Sequence, residues 1–266
     1  MLRSERQAKI LQLIKERGFI KNEDLCQFFR VTSVTIRRDL KDLSMQNLIK
    51  LDHGGAMDVH YLGATIEPLY QIKMNLNIEK KREIGRVASA LVEEGDTIIL
   101  DSGTTTLQIA QHLKNTRLRA LTVITYDITI ASELCPEPNI NVIVTGGILR
   151  KSLYALYGPY TEANLKNIRA RKTFLAIDGA TIDQGILNSF LEEVPIKQSI
   201  IQQGTEVILV TDSSKFGRAV PFKVCSWNAI DRVITDNGVP SDYMDIFANN
   251  EIKTEIVHIC DNCDEF

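Results

Sequence analysis

Nowhere does the 266-residue sequence approach the roughly 18 uninterrupted apolar positions of a membrane-spanning helix, which excludes insertion by that route. A secretory apolar core is missing too: Leu2-Arg3-Ser4-Glu5-Arg6-Gln7 is charged, so a cytoplasmic location is expected. Cysteine is sparse, five residues in scattered positions, which suits a reducing compartment and argues against a disulfide framework. Net charge is only −3, too little to announce a polyanion partner. What remains is the composition of a soluble globular chain, 44% hydrophobic and 24% charged, with a mean hydropathy of −0.07. Domains usually hold about 100–200 residues, so this length makes one large domain or two ordinary ones.

The small net charge hides an asymmetry. Residues 1–56 carry 11 basic and 7 acidic side chains, a balance of +4, and the remaining 210 residues carry −7. A small basic module precedes a larger acidic one, a pattern that favours nucleic-acid contact at the basic end.

Within that module, Ser4 and Gln7 form a capping-box pattern, Ile10, Leu13 and Ile14 recur at helical spacing, and Gly18 supplies a stop, which predicts a helix over about 4–17. A second helix is predicted from Asn22-Glu23-Asp24 to about Arg30, burying Leu25, Phe28 and Phe29. Thr32 is placed to cap a third, in which Ile36, Leu40 and Leu43 share one face. At about 100° per residue, Val34, Arg38 and Lys41 then point the other way with Thr35 and Arg37 on the flanks, while Asp39 lies near the buried seam, suited to pairing a cation. Arginine forks suit guanine edges and phosphates, and threonine suits a phosphate or a thymine methyl. Leu48-Ile49-Lys50-Leu51 reads as a strand and His53-Gly54-Gly55 as a turn, together a wing that would lie along the DNA backbone. The DNA-contacting set is Ser33, Thr35, Arg37, Arg38, Lys41, His53 and Gly54.

Three short helices and a hairpin tipped by two glycines, with Val34-Thr35-Ile36-Arg37-Arg38-Asp39-Leu40 and His53-Gly54-Gly55-Ala56, resemble the DeoR family of bacterial sugar-metabolism repressors. Leu51 and Asp52 stand where that family commonly carries an arginine.

Past a linker at 58–78, the pattern becomes strand, glycine loop, helix, repeated: an α/β domain over 79–259 with a mostly parallel sheet. Strands are predicted at 97–100, 121–125, 140–145, 173–177, 207–211 and 233–235, helices at 80–94, 104–113, 127–134 and 192–203. Residues 260–266 read as a disordered tail.

Ligands of such sheets sit at the carboxyl ends of the strands. Asp101, Ser102, Gly103, Thr104 and Thr105 follow the first strand in a turn suited to an anion, and Gly146 and Gly147 follow another. Asp178, the Glu193/Lys197 pair at i, i+4, and Lys215 after Asp212 lie at further element ends. Acids for hydroxyls, lysines for a phosphate and a glycine-threonine loop together suit a phosphorylated sugar. The resemblance implies the same: the family's effector domain is similar to ribose-5-phosphate isomerase and binds sugar phosphates as inducers. It assigns effector contact to Asp101, Gly103, Thr104, Thr105, Gly146, Gly147, Asp178, Glu193, Lys197 and Lys215, to which the turn adds Ser102, while Thr125-Tyr126-Asp127 departs from the family's Thr-Asn, which bears on the sugar that fits.

An isomerase is the competing expectation, with Glu193 and Asp178 as acid and base. Here, however, Asp178-Gly179-Ala180 is followed by Thr181 where the isomerases continue with aspartate, and Gln184-Gly185-Ile186 lacks their lysine and glycine run. A ligand-free DNA-binding protein ranks third, since it needs no acids and glycines at strand ends. Binding without turnover is expected: a repressor of double-stranded operator DNA, homodimeric or of higher even order to match two-fold operators. No cofactor beyond the effector and no metal is expected, as Cys260 and Cys263 have only His258 nearby. Trp227, Cys26, Cys135 and Cys225 read as packing residues.

Overall fold

The computed structural model describes residues 1–17, 19–46, 48–52, 54–58, 70–116, 118–151 and 153–259. Two units divide the chain, Met1–Ile78 and Glu79–Phe266.

The first unit is a winged helix-turn-helix. Helices α1 (Arg3–Arg17), α2 (Asn22–Phe29) and α3 (Ser33–Met45) are joined by β1 (Phe19–Lys21) and followed by β2 (Ile49–Asp52) and β3 (Gly55–Asp58). The predicted apolar rows make the core: Ile10, Leu13, Ile14, Leu25, Ile36, Leu40 and Leu43 are all buried. Of the pair predicted to be buried in α2, Phe28 is exposed and Phe29 only partly covered. Arg30 adopts a left-handed conformation (φ 52°), which ends α2 and turns the chain into α3.

Both predicted side-chain caps fail. Helix α1 starts at Arg3 with Ser4 inside it, and Glu5 accepts the Leu2 amide at 2.9 Å. Thr32 occupies the N-cap of α3, but its hydroxyl meets that of Thr35 at 3.1 Å rather than a backbone amide.

The wing is a three-stranded antiparallel sheet, order β1-β3-β2, because β3 pairs with β2 on one side and with the unpredicted β1 on the other. The double glycine serves two needs. Gly54 takes the left-handed turn (φ 81°), and a Cβ on Gly55 would lie 2.4 Å from the Ile20 carbonyl oxygen and 2.5 Å from the Phe19 ring. The span expected to be linker contains the end of β3 and helix α4 (Tyr70–Asn75).

The second unit is built on a seven-stranded sheet, parallel throughout: β4 (Thr97–Leu100), β5 (Leu121–Thr125), β6 (Ile140–Val144), β9 (Ala170–Leu175), β12 (Gly204–Val210), β14 (Arg232–Asp236) and β15 (Lys253–Val257). Its order is β15-β14-β12-β9-β4-β5-β6. From β4 the chain builds outward through β5 and β6, then returns to place β9 on the other side of β4. Strand order therefore reverses between β4 and β9, where such sheets open a crevice at their carboxyl ends.

Helices α5 (Ile78–Ser89), α6 (Thr104–Leu113), α7 (Ile128–Leu134), α8 (Pro159–Leu165), α9 (Val194–Gln203) and α10 (Ser241–Asn249) accompany the sheet. A hairpin β7 (Ile148–Arg150)/β8 (Ala155–Tyr157) and a small sheet of β10 (Gly179–Thr181), β11 (Gly185–Asn188) and β13 (Phe222–Cys225) complete the unit. Several boundaries differ from expectation: α5 ends five residues before 94, and β9 runs 170–175 rather than 173–177. Trp227 is buried as expected, against Phe216, Tyr243 and Phe247. Cys135, by contrast, is exposed, so it is no packing residue; Cys26 and Cys225 are half-buried. Cys260, Cys263 and the tail 260–266 lie outside the described residues.

Candidate functional site

On α3 the buried face Ile36, Leu40 and Leu43 forces the opposite side outward: Ser33, Arg37, Arg38 and Lys41 are exposed and Thr35 half-exposed. Val34 is 72% exposed, apolar surface on the same side. Asp39, only 1% exposed, accepts from Arg6 Nε at 2.6 Å and Arg3 Nε at 3.4 Å, while Arg3 also bonds Asp42. These pairs fix the start of α1 against α3 and present two arginines that the sequence reading left out. Arg3, Arg6, Val34, Thr35, Arg38 and Asp39 line one shallow cleft. In the wing, Gly54 and Lys50 are exposed; His53 lies outside the described residues.

In the second unit the charged residues gather at the crevice between β4 and β9. Asp101, directly after β4, is fully buried and receives four donors. Tyr126 Oη and the Ser102 amide (2.9 Å) reach Oδ1, and Lys197 Nζ (2.6 Å) and the Ala176 amide (2.8 Å) reach Oδ2. Lys197 also donates to the Ala176 carbonyl at 2.9 Å. Glu193 and Lys197, four residues apart and both assigned to effector contact, each have a direct partner from another element. Glu193 accepts from Arg150 (2.9 Å) and Asn188 (3.2 Å), and the Arg150 guanidinium lies 3.8 Å over the Phe190 ring. Burial pushes the Glu193 carboxyl above its ordinary range, opposed by the charges of Lys197 and Arg150. Tyr126 is pushed well up as well, by burial first and then by the Asp101 charge. Asp178, also buried, accepts the Ser189 amide at 3.0 Å.

The turn after Asp101 opens α6. Gly103 is extended at φ 169°, a conformation open to any residue, so its need is space: a Cβ would lie 2.7 Å from that of Ala176. Thr106 donates back to the Asp101 and Gly103 carbonyls, while Thr104 and Thr105 are buried in the first turn. No side chain caps this helix start. Ser102 donates to Asp127 at 2.8 Å, and the other Asp127 oxygen caps α7 through the Thr129 and Ile130 amides. Even so, burial raises the Asp127 carboxyl to about 6. Gly146 and Gly147 carry positive φ at the end of β6. A Cβ on Gly147 would meet Thr161 Oγ1 and the Tyr157 carbonyl, so this loop is held against the β7/β8 hairpin. Lys215 lies in a short turn after β12 that Asp212 caps through Ser214, and the residue after it, Phe216, bridges Ala180 beside Asp178.

Residues 76–237 match the DeoR C terminal sensor domain and residues 6–60 the DeoR-like helix-turn-helix domain. The chain belongs to the DeoR family. It is a DNA-binding transcriptional regulator with a sensor domain. Curated relatives of similar length include the glycerol-3-phosphate regulon repressor of Escherichia coli, 31% identical over 96% of this chain and 100% of that protein. The transcriptional repressor GlcR of Bacillus subtilis is 32% identical over 95% and 96%. Among solved structures, ribose 5-phosphate isomerase from Methanocaldococcus jannaschii superposes in part, with TM-score 0.40 and 15% identity over 53% of this chain and 55% of that one. The DeoR sensor match ends at residue 237, so α10 and β15 extend beyond it. Among the described residues, no helix is long and apolar enough to cross a membrane.

Tyr126, Asp127, Asn188, Arg150 and Phe190 are the residues that sequence reasoning did not assign. Tyr126 and Asp127 carried a signal, since they depart from the family's Thr-Asn. Arg150 carried none: it reaches Glu193 across 43 residues of chain.

Proposed function

We propose that this protein represses a carbohydrate-catabolism operon in the cytoplasm and leaves its operator when a phosphorylated sugar fills the crevice of the sensor domain. Thr35, Arg37 and Arg38 read base edges and phosphates in the major groove, Ser33 and Lys41 hold flanking phosphates, and the wing, with His53 and Gly54, lies on the backbone. In the sensor domain, the uncapped start of α6 at Ser102, Gly103, Thr104 and Thr105 takes the phosphate, where helix amides and dipole favour an anion. Asp178 and Glu193 hold sugar hydroxyls, the Asp101–Lys197 pair fixes the floor, and Gly146, Gly147 and Lys215 form the rim. No cofactor takes part.

The observation that carries this reading is the burial of Asp101, Asp178, Glu193 and Lys197 at the one point where strand order reverses. A folded core gains nothing from four buried charges unless they serve a ligand or one another. Their bonding also favours binding over turnover. An isomerase needs a carboxylate free to take a proton from carbon, and here Asp101 holds four donors, Glu193 holds two and Asp178 holds a backbone amide.

Thermal denaturation with a panel of phosphorylated sugars tests the reading. A true effector at about a hundred times its Kd adds about 2.7 kcal/mol of stability. If no phosphorylated sugar raises Tm, or if the protein interconverts sugar phosphates at enzymatic rates, the reading fails.

A further inference from the structure

The central sheet has two edges, and its sequence treats them differently. At one, β15 reads Lys253-Thr254-Glu255-Ile256-Val257, and Glu255 is paired with Arg232 of the neighbouring strand. Charged side chains on a lone edge keep other strands from adding to it. At the other, β6 reads Ile140-Asn141-Val142-Ile143-Val144, without charge or proline, and among the described strands is hydrogen-bonded only to β5. The surface around β6 is apolar as well. Ten large apolar side chains are exposed on the described part of this unit, and six of them sit here: Ile128, Ile143, Val144, Ile148, Leu149 and Tyr154. Ile128 and Val144 border one groove between α7 and β6, of about 480 Å³, and the Tyr154 carbonyl accepts the Ile128 amide at 2.9 Å.

We propose that β6 and the β7/β8 hairpin are the contact between two copies of this chain, with the two β6 strands pairing antiparallel across a two-fold axis. A strand edge is self-complementary under such an axis, since each backbone row supplies the donors and acceptors that the other lacks. Strand β6, uncharged throughout, can meet its own copy without like-charge repulsion. The helix-turn-helix unit works as a two-fold pair on its operator, so a second copy is the partner that this chain's function already requires. Strand β7 also carries Arg150, bonded to Glu193 and stacked on Phe190, so this surface and the sensor crevice share one hairpin.

Sedimentation velocity on the full chain tests the proposal with Ile143→Lys and Ile148→Lys, at positions 41% and 52% exposed and therefore outside the packed core. The wild type is expected as a dimer or larger even assembly, and either variant as a species of half its mass or less with unchanged far-UV circular dichroism. A monomeric wild type, or two folded variants that keep the wild-type mass, would overturn it. Hydrogen exchange on the wild type reads the same contact without a substitution. Amides of β6 should exchange more slowly than those of the β15 edge and speed up on dilution; exchange as fast as β15 at every concentration contradicts the pairing.

Discussion

Lys197 Nζ and Asp101 Oδ2 lie 2.6 Å apart at 2% and 0% side-chain exposure, joining α9 to the end of β4 across 96 residues of chain. Each is the other's charged hydrogen-bond partner, supplemented by neutral ones: Tyr126 and two backbone amides on Asp101, the Ala176 carbonyl on Lys197. Removing one leaves an uncompensated buried charge, which typically costs about 3–5 kcal/mol. Lys197→Met should therefore lower Tm and abolish stabilisation by the sugar phosphate, and operator affinity at a temperature where the variant is folded should match wild type. A variant still released normally by the effector would remove Lys197 from the response. Asp101→Asn should behave alike.

Arg38 is the central exposed cation of α3. Replacing it by Ala should cost about 1–3 kcal/mol of operator binding if it meets a base edge. Fluorescence anisotropy with labelled operator measures this, and an unchanged isotherm would place Arg38 outside the interface.

Asp127 gives a pH signature of defined sign. Its folded carboxyl titrates near 6 against an ordinary 3.8. Between those values the folded state holds a proton that the unfolded chain has released. The stability it contributes is full below about pH 4 and is lost as pH rises through 6. Glu193 is shifted in the same direction, so the comparison is between wild type and Asp127→Asn. The wild type should lose more stability than the variant between pH 4.5 and 7, and parallel curves would show an unshifted group.

Gly55 has no room for a side chain. Gly55→Ala should destabilise the wing by about 1–3 kcal/mol, the usual cost of overpacking, because backbone and an aromatic ring both lie within 2.5 Å of the added carbon. Gly54→Ala meets nothing within 4 Å and is penalised only by its positive φ. Chemical denaturation of both variants distinguishes these costs, and equal losses would contradict the packing argument.

Much of this was legible in the sequence because periodicity reports burial directly. The apolar rows of α1 and α3, the outward arginines and the inward Asp39 follow from turning a helix by a fixed angle. The central strands β4, β5 and β12 announced themselves as β-branched runs. Some short elements did not: β1 and β15 are defined by the strands they pair with, β3 and β14, and the β7/β8 hairpin is two three-residue strands, too short for periodicity to show. The site was legible as a set of positions but not as a set of bonds. Glu193 and Lys197 look like an i, i+4 pair, yet each is drawn to a partner from another element because the crevice buries both. Thr32 shows the limit at smallest scale: residue type named the N-cap position, while the neighbouring Thr35 hydroxyl decided where the bond went.

The central claim is that occupancy of the crevice weakens the grip on DNA, which requires the effector to prefer the DNA-incompetent state. The direct measurement is operator affinity of the full-length protein, titrated with phosphorylated sugars and with the same sugars unphosphorylated. At least one phosphorylated sugar should raise the Kd for operator, with its free sugar inert and Lys197→Met unresponsive. An operator Kd that no phosphorylated sugar moves would contradict the account.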